Sequence, residues 1–311
     1  MLKFKPLPRG ETTRGTPRHI GVEIEFSGLS EAAAADVLQD TLGGVVSKVA
    51  HADYLHRCDA LGETQVYLDI RFRENAQRLL GDAAMDMARL VVPVEIVTEP
   101  LTQDKLPVLD RVVGTLAAAG ARGTEEGWLL GFGVHFNPEV WGQTLDDLLP
   151  VITAYALCED MIRAQADLDL SRRLLPFVDP WPRGFVDALV SDPPRDVAAL
   201  IDLYLGYTRS RNHGLDLMCL FAHIDHDRVA AQVGMDSISA RPTWHYRLPD
   251  CRIGEPDWSL AVPWNRWVAV EGLADDPHRL QALAMAWQTH RAGISGGRAA
   301  WAVRCQEVLD A

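Results

Sequence analysis

The sequence lacks an excess of basic residues. It has 30 lysines and arginines against 43 aspartates and glutamates, which gives a formal net charge of −13. Nucleic acids and anionic membranes attract clustered positive charge, so this balance predicts neither as a partner. It does not exclude an acidic small molecule, because a few arginines can dominate the potential inside one cleft.

Cysteine is scarce and unpaired. The five cysteines are scattered along the chain, and no two of them form a Cys-x-x-Cys motif. This pattern argues against a disulfide framework and against a cysteine zinc site. It predicts a protein of the reducing cytoplasm.

Long apolar runs are missing as well. No apolar stretch reaches the roughly 18 residues of a transmembrane helix, and residues 1–19 contain no apolar core of signal-peptide length. The chain also has no Gly-x-x-x-x-Gly-Lys-[Ser/Thr] loop, so a Walker-type nucleotide site is not expected.

The residues that are present predict a globular α+β protein. Of the 311 residues, 48% are hydrophobic, enough for a sizeable core. Strand-like segments dominate the first half and helical periodicity the second, which predicts a mainly antiparallel sheet covered by helices. We expect an extended lead-in at residues 1–18 and a single domain at 19–311, with a helical insertion at about 143–235.

Two glutamates interrupt an apolar strand in HIGVEIEFSG, residues 19–28. Because side chains alternate along a strand, Glu23 and Glu25 should share one face, roughly 7 Å apart. Val22, Ile24 and Phe26 should then point into the core. Two such carboxylates repel each other unless a cation lies between them, and Mg²⁺ prefers oxygen ligands of this kind. A solvated outer face explains the pattern equally well.

Three later segments repeat this spacing of polar residues at positions i and i+2. VPVEIVTEPL supplies Glu95 and Glu99, GFGVHFNPE supplies His135 and Asn137, and PTWHYRL supplies His245 and Arg247. One such segment means little, but the set predicts a sheet with one polar face. A pair of glycosidase-type acids would not account for histidine and arginine on that face.

The segments GVEIEF, EIVTEPL, GFGVHFNPE, SRNHGLDL and PTWHYRL, in this order, resemble the motifs of the amidoligase family. That family is grouped with glutamine synthetase and glutamate–cysteine ligase among the carboxylate–amine ligases. The resemblance covers about residues 19–290. It implies a curved, glutamine-synthetase-like half-barrel that binds ATP and Mg²⁺ or Mn²⁺. The implied reaction joins a small-molecule or peptide carboxylate to an amine through an acyl phosphate. The resemblance is also compatible with a homo-oligomer.

The resemblance assigns metal and nucleotide ligands residue by residue. Glu23, Glu25 and Glu95 match metal-binding acids of the family. His135 matches a histidine that contacts metal or nucleotide phosphate, and Asn137 occupies a neighbouring polar position. These five residues lie within three of the motifs quoted above.

The resemblance also assigns residues to substrate and phosphate. Arg247 matches a phosphate-binding arginine, and Arg211 matches a residue that contacts the substrate carboxylate or a phosphate. Glu99 is the candidate acid that takes a proton from the amine. In one departure, His245 stands where relatives carry glutamate two residues before the late arginine. This imidazole predicts fewer metals, a different metal or lost activity.

Two other functions use the same residues. A metal-dependent hydrolase would employ the acids and His135 to activate water, and it would turn over without ATP. A non-catalytic member of the family would bind nucleotide or peptide in the same cleft, an interpretation favoured by His245. Consumption of ATP separates the ligase from both alternatives.

Overall fold

Six antiparallel strands form one open sheet in the described part of the chain. The structure, a computed structural model, describes residues 2–68, 93–124, 132–166, 178–293 and 297–311. The strands are β1 (Ile20–Phe26), β2 (Val45–Ala50), β3 (Asp53–Cys58), β4 (Gly62–Leu68), β5 (Val94–Thr98) and β6 (Val134–Pro138). Their order across the sheet is β2-β3-β4-β5-β1-β6.

Helices follow and flank the sheet. Among the described residues they are α1 (Glu31–Leu42), α2 (Leu106–Ala119), α3 (Leu145–Ala166), α4 (Arg183–Ser191), α5 (Val197–Tyr207), α6 (Met218–Ile224), α7 (His226–Ala230), α8 (Ala261–Ala274), α9 (Pro277–Ala292) and α10 (Arg298–Asp310). A 3₁₀ turn, Gln103–Lys105, precedes α2. The predicted α+β class with an antiparallel sheet is confirmed. No helix in these ranges is long and apolar enough to cross a bilayer.

Strand β1 has the predicted alternation. Val22, Ile24 and Phe26 have no exposed surface and form part of the core. Burial of each such side chain stabilises the fold by roughly 1.5–3 kcal/mol, and a one-residue slip would turn all three outward. The hydrophobic pattern therefore fixes the register of β1, and with it the face on which Glu23 and Glu25 lie.

Helix α1 has a capping residue at each end. The side chain of Ser30 accepts a hydrogen bond from the backbone N–H of Ala33, which satisfies one of the free donors of the first turn. Gly43 follows the last turn with a φ of 70°. Only glycine adopts this conformation without steric cost, so the chain turns from α1 into β2 at this point.

The segment PTWHYRL, predicted as a strand, forms isolated bridges instead of a regular strand. Tyr246 exchanges two 2.9 Å backbone hydrogen bonds with Phe136 of β6, while the carbonyl of His245 accepts from the N–H of Asp216 at 3.0 Å. The backbone thus alternates between two partners, and the prolines at both ends of residues 242–249 have no N–H to donate. This arrangement places the side chain of His245 between β6 and Asp216.

The lead-in is tied to the helical layer although it forms no regular element between residues 2 and 19. Trp264 of α8 donates to the carbonyl of Lys5 at 2.9 Å. Arg18 forms a buried ion pair with Glu271 of α8, with both Nη atoms 2.7 Å from the carboxylate. The start of β1 is therefore anchored to α8.

Candidate metal centre and active site

Glu23 lies at the centre of a cluster of polar side chains on the face of β1 opposite the core. Its Oε2 is 2.7 Å from Nδ1 of His135 on β6. Its Oε1 accepts hydrogen bonds from Nδ2 of Asn137 at 2.9 Å and from Arg241 at 3.3 Å. Burial alone would raise the pKa of Glu23, but the hydrogen bond from His135 and the positive charges around it hold the pKa well below its usual value. Glu23 is therefore ionised.

Glu25 and Glu95 face each other across β1 and β5, where the register pairs them directly. Only 8% and 7% of their surfaces are exposed. Oε2 of Glu25 accepts from the backbone N–H of Gly133 at 2.7 Å, and Oε2 of Glu95 accepts from the hydroxyl of Tyr67 at 2.7 Å. Like charges at such directly opposed positions destabilise a sheet, so this pair favours a cation between the two carboxylates.

The two histidines of the cluster meet edge to face. The ring centroids of His135 and His245 are 5.4 Å apart, with an angle of 79° between the ring planes. Nε2 of His135 is 3.9 Å from Oε1 of Glu25. His135 therefore lies between the two acids of β1, with His245 against its ring.

One ring nitrogen of His245 has a hydrogen-bond partner among the described residues and the other does not. Nδ1 is 3.2 Å from Oδ2 of Asp216, a carboxylate that can only accept, so Nδ1 carries the proton. Nε2 is buried and has no hydrogen-bond partner among the described residues. Burial lowers the pKa of His245 to about 4, although Asp216 opposes the shift. The ring is therefore neutral at pH 7, with an available lone pair on Nε2.

Asp216 is a fully buried anchor for His245. Its Oδ2 also accepts from Nε of Arg211 at 2.9 Å, and its Oδ1 accepts from the N–H of Met218 at 2.9 Å. Burial would raise the pKa of Asp216, but the hydrogen bond from His245 and the charge of Arg211 hold it well below its usual value. Asp216 is therefore a fixed negative charge behind the imidazole.

Two sets of side chains could each hold one metal ion among the described residues. The first is Glu23, His135 and His245, and the second is Asp216, Cys219 and His245. Within each set the ligand atoms lie within 4.8 Å of one another. His245 belongs to both sets. Its Nε2, which has no hydrogen-bond partner among the described residues, can donate its lone pair to a divalent cation.

The other predicted residues lie at varying distances from this cluster. Arg211 donates to Asp216 and to the carbonyl of Ser237, and one Nη of Arg247 donates to the carbonyl of Arg211 at 2.9 Å. Arg211 thus belongs to the support behind His245, and Arg247 bonds to the backbone of Arg211. Glu99 follows the end of β5, and its Oε2 accepts from the backbone N–H of Glu63 in the β3–β4 hairpin at 3.0 Å.

Sequence reasoning missed three members of the cluster. Tyr67 follows the alternation of β4 and could have been found from that pattern. Asp216 lies inside the SRNHGLDL motif, five residues after Arg211. Arg241, which also donates to Oδ1 of Asn137 at 2.8 Å, has no local signal in the sequence.

The comparison with protein families decides what this chain is related to. The sequence model of the family described as "Putative amidoligase enzyme" matches residues 16–269. The chain belongs to this family. The match runs from before β1 into α8 and so includes every residue of the cluster. No curated protein sequence and no solved structure shows significant similarity to the chain. The predicted amidoligase relationship is confirmed, and the grouping with glutamine synthetase stays a prediction.

Proposed function

We propose that this amidoligase joins a carboxylate to an amine at the expense of ATP, in a site of the glutamine synthetase type. A carboxylate is a poor electrophile, so phosphorylation by ATP to an acyl phosphate makes it reactive toward the amine. The observation that carries the proposal is the cluster of Glu23, Glu25, Glu95 and His135 on one face of the sheet, in a chain of the amidoligase family.

The acids of the cluster suit a site for divalent cations. Bound there, Mg²⁺ or Mn²⁺ would neutralise the charge of the ATP phosphates, the main requirement of phosphoryl transfer. Glu25 and Glu95 present opposed carboxylates, and Glu23 and His135 present a second pair of ligands beside them. Gly133 and Tyr67 hold the first pair in place through hydrogen bonds.

The arginines of the site have different proposed tasks. The side chain of Arg241 is 31% exposed beside Glu23, so it can turn toward an incoming phosphate. Arg247 is proposed to bind phosphate as well, together with Asn137 and the histidines. Nε of Arg211 is committed to Asp216, which makes a positioning role the better assignment for that residue. Glu99, bonded to the β3–β4 hairpin, has no part in the reaction that we propose.

The proposal is tested by measuring ADP release while carboxylates and amines are supplied singly and in pairs with Mg²⁺ or Mn²⁺. A ligase releases ADP only when a matched pair is present. Product formation without ATP would establish the hydrolase instead. Nucleotide binding without turnover for any pair, amino acids and peptides included, would indicate a non-catalytic protein.

Matched glutamate variants locate the site. Glu23→Gln and Glu25→Gln should abolish metal-dependent ATP binding, because each removes a charge that faces the cation. Glu63→Gln is the control, since Glu63 lies on neighbouring β4 with its side chain 51% exposed. If all three variants bind Mg²⁺–ATP like the wild type, the cluster is not the nucleotide site.

A further inference from the structure

We infer that Glu23, His135 and His245 form a site that binds a transition-metal ion such as Zn²⁺ or Mn²⁺ in preference to Mg²⁺. The inference rests on the proposed function, because it specifies the ion at one position of the same cluster. It concerns ion binding alone, which can be measured without turnover.

The donor atoms differ from those that Mg²⁺ prefers. Mg²⁺ takes oxygen ligands in near-ideal octahedral geometry and keeps several waters. The set here offers two imidazole nitrogens and one carboxylate oxygen. Imidazole suits ions of the zinc and copper part of the first transition row, and affinity for such sites rises from Mn²⁺ toward Zn²⁺. The donor set therefore selects against Mg²⁺.

The three groups are already near the spacing of metal ligands. Their donor atoms lie within 4.8 Å of one another. Opposite ligands of an ion with bonds of about 2 Å are about 4 Å apart. The three side chains therefore need to move together only slightly to bind an ion. Asn137 and Arg241 occupy Oε1 of Glu23, which leaves Oε2, on the side of His135, as the oxygen that can face the ion. Arg241 is partly exposed and can turn outward.

His245 gives the independent sign of a ligand. It is 5% exposed, and its Nε2 is buried without a hydrogen-bond partner among the described residues, an arrangement that is costly unless something binds there. Asp216 accepts from Nδ1, so the proton is held on the far side of the ring. This carboxylate–histidine pairing is the usual support of a metal-bound imidazole, because it fixes the ring and raises its basicity.

The alternative set, Asp216, Cys219 and His245, is less suited to an ion. Both oxygens of Asp216 are already engaged, one by Arg211 and His245 and one by the backbone. Arg211 also donates to Sγ of Cys219 at 3.4 Å. A guanidinium bonded to two of the three ligands would repel a cation placed between them.

Ion binding to the metal-stripped full chain tests the inference. Zn²⁺, Mn²⁺ and Mg²⁺ are titrated separately by calorimetry without nucleotide, and Co²⁺ is added to record the visible absorption of a nitrogen-ligated site. Zn²⁺ and Mn²⁺ should each bind more tightly than Mg²⁺, by about tenfold or more. Mg²⁺ binding of equal or greater affinity would overturn the inference.

Variants identify the ligands. His245→Gln should greatly weaken Zn²⁺ binding, and His245→Glu should shift the preference toward Mg²⁺ by supplying oxygen in place of nitrogen. His226→Gln, a change at an exposed histidine, should bind Zn²⁺ like the wild type. Asp216→Asn should weaken Zn²⁺ binding by about 10–100-fold and alter the Co²⁺ spectrum, since Asp216 acts through His245. Thermal unfolding of each variant verifies that it is folded.

Two results would contradict the assignment of ligands. One is wild-type Zn²⁺ affinity and Co²⁺ absorption in folded His245→Gln. The other is loss of Zn²⁺ binding in Cys219→Ala together with its retention in Glu23→Gln, which would put the ion in the other set. Failure of the ligase assay with Zn²⁺ binding intact would disprove the proposed function and leave the site standing. Ligase activity in a protein that binds Mg²⁺ in preference to Zn²⁺ would support the proposed function and disprove the transition-metal site.

Discussion

Glu23 and His135 are directly paired across β1 and β6, with 2.7 Å between Oε2 of the carboxylate and Nδ1 of the imidazole. This contact joins the central acid of the sheet to the strand that also carries Asn137. Because His135 in turn lies against His245, the contact also links the sheet to the irregular segment beside β6. The candidate site is built around this pair.

Arg241→Ala should separate cation binding from nucleotide binding. Removing a positive charge 3.3 Å from Oε1 of Glu23 lowers the repulsion of an incoming cation, so divalent-ion affinity should rise. ATP affinity should fall several-fold, because the proposed phosphate contact is lost. Calorimetry with the ion alone and with ATP present measures both, and Arg209→Ala, a change at an exposed arginine, is the control. A fall in both affinities would indicate that Arg241 supports the fold instead.

Tyr67→Phe should impair the cation site with little effect on the rest of the sheet. It removes the hydroxyl that donates to Oε2 of Glu95 at 2.7 Å. Hydrogen bonds to charged groups contribute about 1.5–3 kcal/mol, so the stabilisation of the Glu95 carboxylate should fall by about that amount. The divalent-ion concentration needed for half-maximal ADP release should rise about tenfold or more, since about 1.4 kcal/mol corresponds to tenfold. Tyr54→Phe on β3 is the matched control, and an equal effect there would remove the special role of Tyr67.

Glu159 makes the stability of the helical layer depend on pH. Its carboxylate is buried in α3, and burial raises its pKa to about 7, although the charge of Arg163 and the N–H of Trp181 oppose the shift. The charge of Asp160 raises the pKa of Glu159 further, and the charge of Arg298 lowers it. The hydroxyl of Tyr155 also contacts the carboxylate, at 3.4 Å.

Because the pKa of Glu159 is higher in the folded protein than its reference value of 4.5, the associated stability is complete below about pH 4.5 and is lost as pH rises through about 7. Relative to Glu159→Gln, the wild type should lose a few kcal/mol of unfolding free energy between pH 5 and 8, because each tenfold change in proton affinity corresponds to about 1.4 kcal/mol. Urea unfolding at several pH values measures this difference. Glu307→Gln, an exposed change, should leave the wild-type profile intact. Parallel profiles for Glu159→Gln and the wild type would disprove the assignment.

Replacing one partner of the Arg18–Glu271 ion pair should lower the free energy of unfolding more than replacing both. Both partners are buried, and the two hydrogen bonds between them are 2.7 Å long. Arg18→Met should destabilise the protein by about 3–5 kcal/mol, because it leaves the buried carboxylate of Glu271 without its counter-charge. The double variant Arg18→Met/Glu271→Met should recover part of that loss, as measured by chemical unfolding. Arg57→Met, in an exposed pair with Glu63, should change stability by less than about 1 kcal/mol.

The sequence by itself determined the local features of this protein. The alternation of apolar and acidic residues placed Glu23 and Glu25 on one face of β1, because a strand has a period of two residues. Ser30 and Gly43 marked the ends of α1, since capping depends on neighbours a few residues away. The ordered motifs pointed to the amidoligase family, to which the chain belongs.

Only the tertiary structure decided which of these residues meet. The register of β1 with β5 opposed Glu25 to Glu95, and the packing of an irregular segment beside β6 brought His245 between His135 and Asp216. The same packing introduced Arg241, for which no local pattern exists. These contacts join positions far apart in the chain. They follow from strand register and from burial between distant segments. Periodicity and capping residues involve only near neighbours in the chain, so they do not specify such contacts.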